Sequence, residues 1–197
     1  MFDNLITNLQ NKGYEALFFE EMEEALTYLH EIIDNKTVGL GGSITIKDMG
    51  LYDLLKSHNN VLWHWMDTLN SKEILQKAKN SEVYLLSANA ISENGEIVNI
   101  DGTSNRVSTS SFGPQDVYFI VGKNKITANL QKAIDRARNV AAPLNAQRLN
   151  KKTPCVKDLK CHDCNSPERI CRNMQIFFKA PSGCKYHVII INQDLGY

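Results

Sequence analysis

The sequence lacks most features that would mark a specialised class. It has no net charge, with 22 Lys plus Arg against 22 Asp plus Glu, which argues against a polyanion such as nucleic acid as its main partner. It has no apolar run near the ~20 residues that a bilayer-crossing helix needs. Residues Met1 to Lys12 lack the apolar core of a secretory signal. Together these absences point to a cytoplasmic protein. In that reducing setting its five cysteines are thiols, metal ligands or redox groups rather than structural disulfides. No internal repeat or low-complexity tract interrupts the chain. No G-x-G-x-x-G follows an apolar run, which argues against a nicotinamide or flavin bound in the Rossmann manner.

What is present is an ordinary globular balance. The 197 residues, 43% of them apolar, suffice for one domain with a real core, spanning 1–197. Two helical stripes open the chain: Phe2, Leu5, Ile6 and Leu9, closed by Gly13, and then Met22, Ala25, Leu26, Leu29, Ile32 and Ile33. Residues 1–35 therefore read as N-terminal helices. Short apolar runs follow at Thr37–Leu40, Val61–Trp63, Val83–Leu86, Ile97–Ile100, Val117–Val121 and Tyr186–Ile191. Amphipathic stretches around Leu51–Leu55 and Ile74–Ala78 lie between them, and Leu130–Ala141 gives a longer stripe that should stop at Pro143. This alternation predicts a mostly parallel sheet covered on both faces, a three-layer α/β/α fold. Ligands in such sheets bind beyond the carboxyl ends of the strands.

The residues after each strand are therefore the ones to weigh. Gly41-Gly42-Ser43-Ile44-Thr45 lets the backbone approach a ligand, and Ser43 or Thr45 caps the next helix or touches that ligand. His64, within His64-Trp65-Met66-Asp67, is an acid/base candidate or a partly buried structural histidine. Ser87-Ala88-Asn89, then Gly102-Thr103-Ser104-Asn105-Arg106, then Gly122-Lys123-Asn124-Lys125 add small, amide and basic groups. With Asn99 and Asp101 they suit a small anionic ligand, a carboxylate or phosphate. Arg106 has the fork to hold two oxygens at once, or to pair with Asp101. Lys123 and Lys125 either meet the anion or face water. Among the candidate carboxylates Asp67, Glu93, Glu96 and Asp101, only Asp101 is well placed, and it is as well suited to capping the next helix.

Four stretches, GLGGSITIKDMGL, LLSANAISENGEIVNIDGTSNRV, FGPQDVYFIVGKNKI and AAPLNAQRL, together with a tail from TPCVKDLKCHDC to RIC, resemble the LUD (lactate-utilisation) domain family, from about residue 5 to the C-terminus. The resemblance implies the three-layer fold shared by ribose-phosphate isomerases, glucosamine-phosphate deaminases and CoA-transferases. It also implies a link to the oxidation of lactate to pyruvate, in which related domains belong to an iron–sulfur-containing complex. The central stretch is similar, more distantly, to the GADxIxxNGxVxNKxGT segment of methylthioribose-phosphate isomerases. Their catalytic Asp corresponds to Asn89 here, and their lysine to Ile100. An amide cannot act as a general acid or base in the carboxylate range, so sugar-phosphate isomerisation is not expected. Asn89, Asn94, Asn99, Gly102 and Thr103 read instead as a retained hydrogen-bonding frame.

Cys155, Cys161, Cys164 and Cys171 form C-x5-C-x2-C-x6-C within a cysteine-rich segment, 153–172, that precedes the last strand. The C-x2-C loop is the chelating spacing of zinc and iron–sulfur sites. Arg169 and Arg172 would balance thiolate charge. The alternative is a set of free thiols or labile disulfides. The redox setting implied by the resemblance places an iron–sulfur cluster ahead of zinc. Cys184 reads as a small buried apolar residue.

Three functional expectations follow. The first is a component of lactate or 2-hydroxy-acid oxidation, working with redox partner subunits. The second is a transferase or isomerase-like enzyme on a phosphorylated or CoA-linked substrate. The third is a non-catalytic ligand-binding regulatory module. Proteins with this fold often form homodimers.

Overall fold

The computed structural model describes residues 2–66 and 68–197. The chain runs α1 (Asp3–Asn11), β1 (Glu15–Phe19), α2 (Met22–Ile32), β2 (Thr37–Leu40), α3 (Ile44–Asp48), α4 (Leu51–Leu55), β3 (Asn60–Leu62), α5 (Ser71–Ala78) and β4 (Val83–Leu86). It continues through β5 (Ala90–Ser92), β6 (Ile97–Asp101), α6 (Asn105–Ser111), β7 (Asp116–Gly122), β8 (Ile126–Thr127) and α7 (Leu130–Arg136). A π-helical turn (Ala137–Ala141), α8 (Ala142–Arg148), α9 (Cys155–Asp158), β9 (Asn173–Phe177) and β10 (Lys185–Ile191) complete it.

Six strands form one parallel sheet in the order β1-β10-β7-β4-β2-β3. Side chains alternate across it, so each central strand feeds two cores. Tyr118, Ile120, Ile189 and Ile191 pack beneath α2, α3 and α4 with Leu29, Ile46 and Leu55. Val117, Phe119, Val188 and Ile190 face the other way, onto Leu5 and Leu9 of α1. Buried on both faces, β7 and β10 read as continuous apolar runs, as interior parallel strands do. The fold is three-layered, and its third layer contains a small second sheet, β8-β5-β6-β9. Ile91, Ile97 and Phe177 of that sheet join the second core. Ala90, Val98 and Ile100 on its outer face pack against Ala133 of α7 and Ala137. Among the described residues no helix is long and apolar enough to cross a membrane.

Three local readings change. Residues 1–35 are not helices alone: β1 lies between the two, pairing with β10 at the sheet edge. Ala16–Phe19 is a short apolar run, but it lies between two helical stripes and is only half buried at the sheet edge. The helix does not stop at Pro143. The π turn widens the backbone just before it, and Pro143 enters α8 in the first turn, where a missing N–H costs little. Asn94-Gly95 does turn the chain, with Gly95 at φ 89°, but it joins β5 and β6 as an antiparallel hairpin of the second sheet.

Candidate functional site

The carboxyl ends of β2, β3, β4 and β7, with the end of β6, open on one cleft of about 720 Å³. That size is ordinary for a small-molecule site. Gly42, Ser43, Thr45, His64, Asn89, Asp101, Gly102, Thr103, Asn105 and Arg106 all line it. Gly41, Asn99 and Lys123 do not. A side chain at Gly41 would press on Arg106 Cγ at 3.3 Å and Leu86 Cβ at 3.1 Å, so that glycine makes room for packing. Lys123 is exposed and stands away from the cleft. Asp67 lies outside the described residues.

Most of the polar residues hold the frame. Asp101 is buried, and its Oδ1 accepts from the N–H groups of Thr103 and Ser104, both at 3.1 Å. Its Oδ2 accepts from those of Arg106 at 3.0 Å and Val107 at 3.4 Å. It thus anchors the turn into α6, where Ser104 takes a positive φ of 63°. Asn89 and Asn99 form an amide clasp between β5 and β6. Asn89 N donates to Asn99 Oδ1 at 3.0 Å, and Ile100 N donates to Asn89 Oδ1 at 2.6 Å. Ser43 caps α3 through Ile46 N.

The cations are less committed. Arg106 donates Nη2 to Ile100 O at 2.6 Å, and its Nε stands 3.7 Å from Asp101 Oδ2, which leaves Nη1 for a ligand. Arg148 from α8 donates to Asn145 Oδ1 and to the Tyr197 hydroxyl, and its guanidinium lies 5.0 Å over the Trp65 ring. Lys125 is buried: its Nζ donates to Thr45 Oγ1 at 2.8 Å and Ser87 Oγ at 3.0 Å. Burial, reinforced by the charges of Arg136 and Arg106, lowers its ammonium to about 7. His64 is held below its usual value by burial, with Asp101 pulling weakly the other way. Counting Lys151, Arg169 and Arg172, six basic side chains line the cleft, five of them besides Lys125, against two acids, Asp101 and Glu168. Glu168 accepts from Lys152 N.

Reading the chain alone missed Lys125 as the buried member of its pair. The one available signal was spacing: it immediately precedes Ile126, where the chain re-enters a sheet. Arg148 and Asn145 were missed because the helix was expected to end at Pro143. Arg169 and Arg172 were assigned to the thiols, yet the segment that carries them also walls the cleft. Arg172 N donates to Asp101 O at 3.0 Å, and a side chain at Gly102 would strike Ile170 O at 2.8 Å.

On the far side of that wall, Cys155, Cys161, Cys164 and Cys171 line one small pocket with Arg138 and Arg169. Arg138 Nη2 donates to Cys161 Sγ at 3.6 Å and Asp163 N to the same sulfur at 3.5 Å. His162 faces outward onto Asp158 at 3.0 Å. Donor type and a shared pocket fit a thiolate centre. Spacing does not: among the described residues no three of His, Cys, Asp or Glu are placed to grip an ion. Cys184 is half-buried at the rim of the second core.

The family model of the LUD domain matches residues 2–191. Among solved structures, a DUF162 family protein from Deinococcus radiodurans is similar with a TM-score of 0.54 at 10% identity, over 95% of this chain and 94% of that one. At that identity the likeness is one of fold. No curated protein matches the sequence.

Proposed function

This chain belongs to the LUD domain family, and from that premise we propose that its cleft binds a small organic anion, a carboxylate of the lactate or 2-hydroxy-acid type, as a component of its oxidation. The observation that carries this reading is the charge balance of the cleft. Leaving aside Lys125, whose charge burial weakens, five cations meet two acids, and one of those acids, Asp101, is already occupied by four backbone N–H groups. The remaining positive potential favours an anion, and the free edges of Arg106 and Arg148 match its oxygens. Thermal-shift and calorimetric titration with lactate, pyruvate and a phosphate ester tests it, because a ligand of the folded state raises the melting temperature. Arg148→Met should weaken the preferred anion about tenfold. Equal, negligible responses to all three anions would refute the reading.

The redox element of that reading is the thiol pocket, whose donor type suits an iron–sulfur centre ahead of zinc, although among the described residues no three ligating side chains are spaced to grip an ion. Its support is four cysteines on one pocket with N–H donors to Cys161. Anaerobic purification with elemental analysis and visible absorption tests it. Metal-free protein with four titratable thiols in this segment rejects it.

A further inference from the structure

A lysine buried beneath a binding cleft requires an account of its charge. Lys125 is 3% exposed and yet lines the cleft. Its hydrogen-bond partners are two hydroxyls rather than a carboxylate, and the guanidiniums of Arg136 and Arg106 repel a positive amine more than Asp48 attracts it. A lysine that served only to fill space would be better replaced by methionine, which has no charge to desolvate.

The hydrogen bonds define the amine further. Thr45 Oγ1 donates its proton to Leu195 O at 3.2 Å, and Ser87 Oγ donates to Ala88 O at 3.4 Å. A hydroxyl has one proton, so both oxygens must accept from Lys125 Nζ. A neutral amine has two N–H bonds and one lone pair. Thr45 and Ser87 take the two N–H bonds, and the lone pair is left unengaged. With its pKa lowered to about 7, a large share of the amine takes this neutral form near pH 7, desolvated and oriented as an amine nucleophile needs to be.

We propose that Lys125 attacks the carbonyl carbon of a 2-oxo acid held in the cleft and forms an imine with it. The proposal deepens the small-anion reading above and rests on it. The carboxylate pairs with the free edge of Arg106 and with Arg148, while the adjacent carbonyl meets Nζ. A C–N bond forms as the carbonyl π bond opens, giving a carbinolamine. The C–O bond then breaks, and the oxygen leaves as water with the two protons that the amine carried. No oxidant or reductant is consumed. His64 lines the same cleft, and its Nδ1 is buried with no partner among the described residues. With burial holding it below its usual value, it can take a proton from nitrogen and return one to the departing oxygen.

Borohydride trapping of the full chain tests this. The protein is incubated with pyruvate, with dihydroxyacetone phosphate or with lactate, in sodium cyanoborohydride, and the adduct is located by peptide mass mapping. Thermal shift is recorded on the same samples without the reductant. We expect pyruvate to give one adduct, on Lys125 and not on Lys123, with lactate giving none. At pH 7.5 a surface lysine is neutral to only ~0.1%, so Lys125 should label at least about tenfold faster than Lys123. An adduct with dihydroxyacetone phosphate alone would replace the 2-oxo acid by a sugar phosphate and overturn the substrate class. A thermal shift with pyruvate but no adduct on Lys125, or labelling spread evenly over surface lysines, overturns the imine and leaves the anion reading standing. No shift and no adduct with any probe overturns both. The measurement is made on the wild-type chain, so it does not depend on whether Lys125→Arg folds.

Discussion

The floor and the wall of the cleft are built on different principles. The floor, residues 85–107, runs from the end of β4 in the parallel sheet through β5 and β6 of the second sheet into α6, and it feeds all three hydrophobic clusters. Its polar groups are spent on backbone: Asp101 accepts four N–H groups, and Asn89 and Asn99 clasp two strands. The wall, residues 151–172, adds little to them. Arg169 ties it together, donating to the carbonyls of Cys164 at 2.7 Å and Cys171 at 2.9 Å and to Asp163 at 3.1 Å. Arg172 does the same for the carbonyls of Arg169 and Pro167. A floor set by buried hydrogen bonds changes only when the fold does. A wall set by guanidinium bridges to main-chain carbonyls can rearrange while the sheet stays intact.

The comparison breaks most clearly at Asp101. Asp101→Ala removes the acceptor of four backbone N–H groups in a buried turn, and the expected loss is about 3–5 kcal/mol in urea or guanidinium denaturation. A loss below about 1 kcal/mol would mean that water satisfies those groups and that the floor is no more fixed than the wall.

Lys125 gives the next largest effect, and it appears as a pH dependence. Folded, the amine is neutral above about 7; unfolded, it keeps its proton to ~10.4. Between pH 7 and 9 the unfolded chain therefore binds the extra proton, so stability rises with pH, by at most about 1.4 kcal/mol per unit from this group. Below pH 7 this contribution flattens at its least favourable level. Lys125→Met should remove that slope, measured as the difference between variant and wild-type denaturation midpoints across the window. Parallel curves would place a charged, solvated amine at 125.

Gly102→Ala sharpens the boundary itself. The added methyl would meet Ile170 O at 2.8 Å, a main-chain atom that yields only if the wall moves. The expected cost is about 1–2 kcal/mol, together with faster alkylation of Cys161 and Cys171. Unchanged thiol reactivity would show that floor and wall are not coupled through this contact.

The same division explains what could be read from the chain. The floor was legible because its elements are local. Val83–Leu86 is a continuous apolar run, Ile97–Ile100 is apolar but for Asn99, Asn94-Gly95 is a turn, and a carboxylate two residues before Thr103 suits a cap. The parallel order of the main sheet follows from strands alternating with helices. What escaped depends on partners distant in sequence. Ala90–Ser92 is too short to show a period, and β9 is half exposed and takes its register from β6. Lys125 and Lys123 are alike in local context, and partners distant in sequence, Thr45 80 residues away and Ser87 38 residues away, bury one of them. The cysteine spacing announced a cluster, but nothing in it revealed that Arg169, Ile170 and Arg172 would close the cleft.

Asn89 is where the floor meets the cleft, and its substitution should give the smallest change in stability. In Asn89→Asp one carboxylate oxygen can still accept from Ile100 N, now at 2.6 Å from Asn89 Oδ1. The backbone N–H of residue 89 still reaches Asn99 Oδ1. The nearby Arg136, which donates Nη1 to Asn89 O at 2.5 Å, offsets part of the added charge. The expected stability change is within about 1 kcal/mol. The ligand experiences the charge directly, because residue 89 lines a cleft whose other free charges are mostly positive. Anion affinity should fall by about tenfold, and more at low ionic strength, because screening weakens a repulsion of this kind. If titration with the best-binding anion shows the same affinity for both proteins, then residue 89 belongs wholly to the clasp and the anion sits closer to Arg148.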